Sequence, residues 1–255
     1  VSEGLVASLR TPLRGRADFG EVLAGKWSGL APAALARRTV VLDGDSPAPL
    51  GDLFQVTGTP SGLIRFEGDL READRMGAGL SEGAVVVESS VGHEAGIGMS
   101  GGVLDVRGDA GDRAGGAETD ARKGMSGGEL LVRGGTGVEP ATRMRRGLLV
   151  VGGDVAGRAG LGMIAGTVMV FGKAGRSPGL GSKRGSVVAC GPIEIPPTYR
   201  YACTYQPDHL RFTLLRLRER YGLAVNEGQL TGLYRRYSGD LADLGRGEIL
   251  EWTAE

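Results

Sequence analysis

Basic side chains in the second half of this 255-residue sequence are spaced as if to act together. Arg143, Arg145 and Arg146 crowd one short segment, Lys183 and Arg184 follow further on, and Arg158, Lys173 and Arg176 lie near. Cations gathered on one surface can hold a polyanion or an acidic partner. The plainer reading is a set of solvated corners, since 30 Asp and Glu match 30 Lys and Arg.

No other constellation points to a reaction centre. The run Gly152-Gly153-Asp154-Val155-Ala156-Gly157 resembles a phosphate loop, but that fingerprint needs a strand, a tight turn and a helix N-terminus. Here similar glycine runs recur with no helix pattern after them. His93-Glu94 would start a zinc-binding helix only with a second His four residues on, where Ile97 stands. His209 reads as a surface residue or a cap contact. No Ser/His/Asp order stands out. Cys190 and Cys203 offer neither a disulfide framework nor metal spacing. No catalytic residue and no metal ligand is assigned.

What must position the cations is a repeat. Six β-rich lines begin at Ala84, Val103, Glu129, Leu148, Thr167 and Ser186, in steps of 19, 26, 19, 19 and 19 residues. Each is preceded by glycine: Gly83, Gly102, Gly128, Gly147, Gly166 and Gly185. A second glycine stands five residues before most lines, Met often holds the next position (Met99, Met125, Met144, Met163), and a third small residue lies three past most lines. A period near twenty means stacked coils. Val and Leu suit the strand, alternate side chains fill the core, and glycines turn the corners. The expected fold is all-β, a parallel β-helix of ~19-residue coils. Equivalent positions on neighbouring coils then lie about 4.8 Å apart, which makes a ladder of the cations. Extra residues around 115–123 predict a loop bulging from one face, a candidate partner contact.

Residues 1–38 read as an N-terminal cap and 39–192 as the β-helix. Thr39–Gly44, Leu53–Gly58 and Leu63–Gly68 have the form of the line, the first two in imperfect opening coils. Pro192, Pro196 and Pro197 end the stack, because proline cannot donate into a ladder. Residues 193–255 then predict a small α+β extension that covers the last coil or meets another subunit. A helix runs from an Asp208 cap through Leu210, Leu214, Leu217 and Tyr221 to Gly222. A turn follows at 226–228, with strand-like pieces at 233–237 and 248–252.

Formal net charge is zero, which gives no global reason for nucleic-acid or membrane binding. No apolar run is long enough to span a bilayer and no signal peptide is read, so the chain is expected in the cytoplasm. Lysines are four among the 30 basic residues, a bias associated with GC-rich bacterial genomes.

Gly-Met-Ser-Gly-Gly at 98–102 and again at 124–128, and Gly160-x-Gly162-Met163-x-x-Gly166, resemble the glycine-repeat β-helix of glutamate synthase C-terminal domains. With Gly51-Asp52-Leu53-Phe54-Gln55-Val56-Thr57-Gly58 the chain is most similar to the C-type (gamma) subunit of formylmethanofuran dehydrogenase. The resemblance implies a right-handed parallel β-helix without catalytic residues. It implies a place in the formyltransferase/hydrolase complex of methylotrophic bacteria, which passes a formyl group from formyl-tetrahydromethanopterin to a methanofuran-type carrier and releases formate. An amidohydrolase-like hydrolase subunit, a formyltransferase subunit and a further B-type subunit would be the partners. The carriers would sit on those subunits, and this chain would hold no cofactor. The carrier's polyglutamate tail gives the basic ladder a possible ligand. The alternatives are the tungsten or molybdenum formylmethanofuran dehydrogenase and a stand-alone β-helix acyltransferase. The latter fits poorly, because 19 is not a multiple of its six-residue repeat.

Overall fold

The computed structural model describes residues 4–25 and 27–253. The chain is mostly β and is built on a large mixed sheet. The N-terminal part holds β1 (Leu5–Leu9), β2 (Ala17–Asp18), α1 (Pro32–Leu35), β3 (Thr39–Leu42), β4 (Ser46–Pro49), α2 (Leu50–Leu53) and β5 (Phe54–Gly58). The repeats supply β6 (Leu63–Glu67), β7 (Ala73–Asp74), β8 (Ala84–Val87), β9 (Ser100–Val106), β10 (Ser126–Val132) and β11 (Thr136–Val138). They continue with β12 (Arg146–Val151), β13 (Val155–Gly157), β14 (Thr167–Val170) and β15 (Ser186–Ala189). The C-terminal part adds β16 (Arg200–Tyr205), α3 (Asp208–Tyr221), α4 (Glu227–Thr231), β17 (Tyr234–Gly239) and β18 (Gly247–Trp252).

The main sheet has 12 strands in the order β16-β17-β18-β15-β14-β12-β10-β9-β8-β6-β1-β5. Its centre is parallel, and the register joins the first residue of every predicted line: Ala84 to Val103, Val103 to Glu129, Glu129 to Leu148, Leu148 to Thr167 and Thr167 to Ser186. A second ladder runs through Leu70, Val91, Ala110, Thr136 and Val155. At the corners Gly79 N–H donates to Ile97, Gly98 to Gly116 and Gly162 to Leu180. Each repeat is therefore bonded to the next on three separate stretches.

Alternation sorts the strand side chains onto two faces, and both are buried. Val85, Leu104, Leu130, Leu149, Val168 and Val187 join one core with Met99, Met125, Met144 and Met163. Leu131, Val150, Met169 and Val188 face the other way, where Leu210, Leu214 and Leu217 of α3 and Leu230 of α4 cover them. Burying one such side chain stabilises by roughly 1.5–3 kcal/mol, an upper figure.

Several expectations are corrected. Thr39–Leu42 is no coil strand: β3 pairs antiparallel with both β2 and β4 in a separate sheet, ordered β4-β3-β2-β7. Asp43 and Gly44, with φ of 47° and 89°, form the turn. Leu53 lies in α2, and Phe54–Gly58 runs antiparallel on β1 at the far edge of the main sheet. β1 itself, expected within a cap, pairs in parallel with β6 and so begins the main sheet. Phe19, Phe54 and Phe66 meet edge to face at 5.7–6.4 Å beneath it.

The C-terminal extension continues the sheet: β18 pairs in parallel with β15, Ser186 against Glu248. α3 has the predicted bounds and ends on Gly222 at φ 65°. Its N-cap is Pro207 rather than Asp208, which stands in the first turn without a cap hydrogen bond. The expected turn at 226–228 opens α4 instead, where Asn226 and Gln229 form a reciprocal capping box.

Thr136 takes an inward place in the column of Val91, Ala110 and Val155. Its Oγ1 is buried without a hydrogen-bond partner. Thr136→Val is expected to stabilise by about 1 kcal/mol, because it removes an unsatisfied hydroxyl and keeps the shape. Urea denaturation checks this; an unchanged midpoint would show that the hydroxyl is satisfied in solution.

Candidate functional site

The eight predicted cations do not form one ladder. Arg145, Ile164 and Lys183 hold one position on successive repeats, since their N–H groups donate to Met125, Met144 and Met163 at 2.8, 2.7 and 2.8 Å. Arg146, Ala165 and Arg184 follow them. Two cation pairs thus stand two steps apart, about 10 Å at 4.8 Å per step. They flank a cleft of about 400 Å³ whose other lining residues are Ile164, Ala165 and Leu244. All four cations are exposed. Among the described residues no carboxylate pairs with any of them, whereas many other arginines are paired, as Arg158 is to Glu139 at 2.8 Å. The cleft can take an anion with more than one charge and some apolar surface between charges.

The strand register adds a residue the spacing could not show. Ser186 pairs with Glu248, and the exposed Arg246 lies just ahead of β18 as Arg184 lies just ahead of β15. Leu244 reaches the cleft on the same loop, which Asp240 anchors by accepting the Gly181 and Ala242 N–H groups, each at 2.9 Å. Burial would raise the Asp240 pKa, but those two N–H bonds outweigh it and hold the carboxyl below its ordinary value.

The remaining predicted cations lie elsewhere. Lys173 and Arg176 follow their strand, whereas Arg145 and Lys183 precede theirs. They line a second groove of about 750 Å³ with Asp154, Glu194 and Pro192, where carboxylates offset them. Arg143 Nη1 donates to the Ala121 carbonyl at 3.1 Å, so it fastens the 115–123 loop. That loop is also tied down by Glu118 on Arg75, at 3.0 Å. Arg143 and Arg158 both have φ near 54°, in the left-handed region. Arg158 belongs to a column of such residues, Arg75, Glu94, Arg113, Glu139, Arg158 and Ser177, one per repeat. Glu94–Arg113 and Glu139–Arg158 pair along it at 3.1 and 2.8 Å.

Many acidic groups brace one repeat on the next. Asp74, Asp109, Asp112 and Asp154 accept the N–H of His93, Gly135, Val138 and Lys173. His93 does the same job, taking the Asp112 N–H on Nδ1 at 2.9 Å. His209 is exposed in the first turn of α3. Among the described residues no His, Cys, Asp and Glu group could hold a metal ion. Burial pushes the Cys190 thiol up to about 12, which leaves it unreactive. No described helix is long and apolar enough to cross a membrane.

Among solved structures the chain is similar to a chain of the X-ray structure of the formyltransferase/hydrolase complex (FhcABCD) from Methylorubrum extorquens in complex with methylofuran. The two share 32% identity and a TM-score of 0.77, over 98% of this chain and 100% of that one. No family model and no curated protein matches.

Proposed function

The chain belongs to the family of that component of the formyltransferase/hydrolase complex, and from this we propose that it is a scaffold subunit of such a complex, without catalytic residues of its own. The full-length match carries the reading. The stacked repeats support a right-handed parallel β-helix of the C-type: their buried strands hold surfaces at fixed spacing. Hydrolysis would belong to an amidohydrolase-like partner and formyl transfer to another, with a B-type subunit besides. The substrate would be formyl-tetrahydromethanopterin and the carrier of the methanofuran type, both held on those subunits in the cytoplasm. Mass spectrometry of what co-purifies with the tagged chain tests this. Hydrolase-like and transferase-like partners are expected; the chain alone in a homo-oligomer would overturn the reading.

Within that role we assign the cleft of Arg145, Arg146, Lys183 and Arg184 to a chain of carboxylates, the polyglutamate tail or an acidic partner segment. Lys173 and Arg176 are a weaker second contact, and Arg143 and Arg158 brace the fold. The support is four cations without counter-charges around one apolar floor. Titration of the assembled complex with labelled oligo-L-glutamate is the check. The K183E/R184E variant is expected to weaken binding by about tenfold or more and to flatten its salt dependence, whereas R211E on α3 changes neither. Equal losses would remove the assignment.

A further inference from the structure

The main sheet outruns the repeats. Ile193, Ile195, Tyr199 and Tyr237 close the end of the inner core. Beyond them β16 is the terminal strand, paired among the described residues only with β17, and Arg200 to Thr204 are all exposed. Tyr201 is 60% exposed and meets the Tyr237 ring edge to face at 6.0 Å. The outer rim of such a strand offers N–H and C=O groups to another chain. Edges are ordinarily blunted by charged side chains, above all lysine, by proline or by a bulge. β16 has neither lysine nor proline; its blunting is limited to Arg200 at its start and a bulge at Ala202, which the register skips between Tyr201 and Cys203.

Charge says what could pair there. β16 contains no carboxylate and opens on Arg200, while the Arg235 and Arg236 beside it are paired to Glu251 and Glu248. The carboxylates beside it are already engaged: Glu248 takes Arg236 and the Ser186 hydroxyl, and Glu251 takes the Tyr237 hydroxyl with Arg235 at 3.7 Å. Among the described residues Arg200 donates only to a backbone carbonyl, that of Pro197.

We infer that β16 is a docking edge for an extended, acidic strand of another subunit, which adds to the sheet with Tyr201 as its aromatic anchor. That the occupant is a different subunit rests on the scaffold reading above; that it is extended and acidic rests on the edge itself.

Hydrogen–deuterium exchange on the full chain, alone and co-assembled with the other subunits, tests it. Amides of 200–205 are expected to exchange about tenfold or more slowly in the assembly. A photo-crosslinker at Ala202 should join an acidic strand of another chain. Ala202→Glu should loosen the assembly and Ala202→Lys retain it, because Ala202 is exposed and either change leaves the fold alone. An intact assembly with β16 exchanging freely, or a crosslink to a second copy, overturns this inference and spares the scaffold role. A chain that assembles with no partner overturns both.

Discussion

Gly128→Ala is expected to lower stability by about 3–5 kcal/mol, whereas Gly98→Ala costs only about 1–2 kcal/mol. Both glycines turn corners in the left-handed region, at φ +83° and +66°. A side chain meets the same conformational cost at either, partly offset by the lower entropy of the unfolded chain. The difference is space. A Cβ at Gly128 would meet the Gly101 carbonyl oxygen at 2.5 Å and the Gly102 oxygen at 2.8 Å. Those are backbone atoms of the repeat below and cannot move without opening the ladder. A Cβ at Gly98 has nothing within 4 Å. Urea denaturation of both variants with an unchanged m-value measures the difference. Equal losses would mean that neighbouring repeats can part locally, and that strain alone explains why glycine precedes each strand.

The stack is legible in the sequence because those constraints act on every repeat at once. Two-sided burial demands Val and Leu, and each close corner demands glycine. Thr39–Leu42 has the same strand composition, but strand type is not partner choice. The nearby Asp43-Gly44 is the hairpin signal that decides for antiparallel pairing. Gly4 before Leu5 carries the corner signature too. No spacing reveals it, because the parallel partner of Leu5, Ile64, comes only after the N-terminal excursion.

The site is less legible. A 19-residue step names a column, yet only the phase within the repeat tells which end of the strand a cation occupies. That phase separates Arg145 and Lys183 from Lys173 and Arg176. Arg246 could not be found, since β15 and β18 lie far apart in sequence and no spacing announces their pairing. Nor could spacing tell free cations from paired ones. Arg158 looks like Lys183 in the sequence, and only the fold sets it on Glu139.

Asp105→Ala is the other change expected to be severe, at about 3–5 kcal/mol. On the outer face of the main sheet the register runs Val86, Asp105, Leu131, Val150, Met169 and Val188, so one carboxylate interrupts an apolar column. Asp105 is 4% exposed. Arg133 grips it through Nε and Nη2, each at 2.8 Å, and Arg107, just past the end of β9, approaches at 3.4 Å. Cutting the carboxylate leaves the mostly buried Arg133 guanidinium without its partner, which costs more than the pair ever contributed. Replacing both, as Asp105→Val with Arg133→Leu, should recover most of the loss, because it extends the apolar column that the helices cover further along. Thermal unfolding of the two single variants and the double variant makes the cycle. If the double variant folds as well as the parent yet fails to assemble with other subunits, the outer face at Asp105 is itself a contact surface. If it folds and assembles, the pair serves the sheet alone. A double variant as unstable as Asp105→Ala would sink the account, since the cost would then come from the backbone around Asp105 rather than from an orphaned charge.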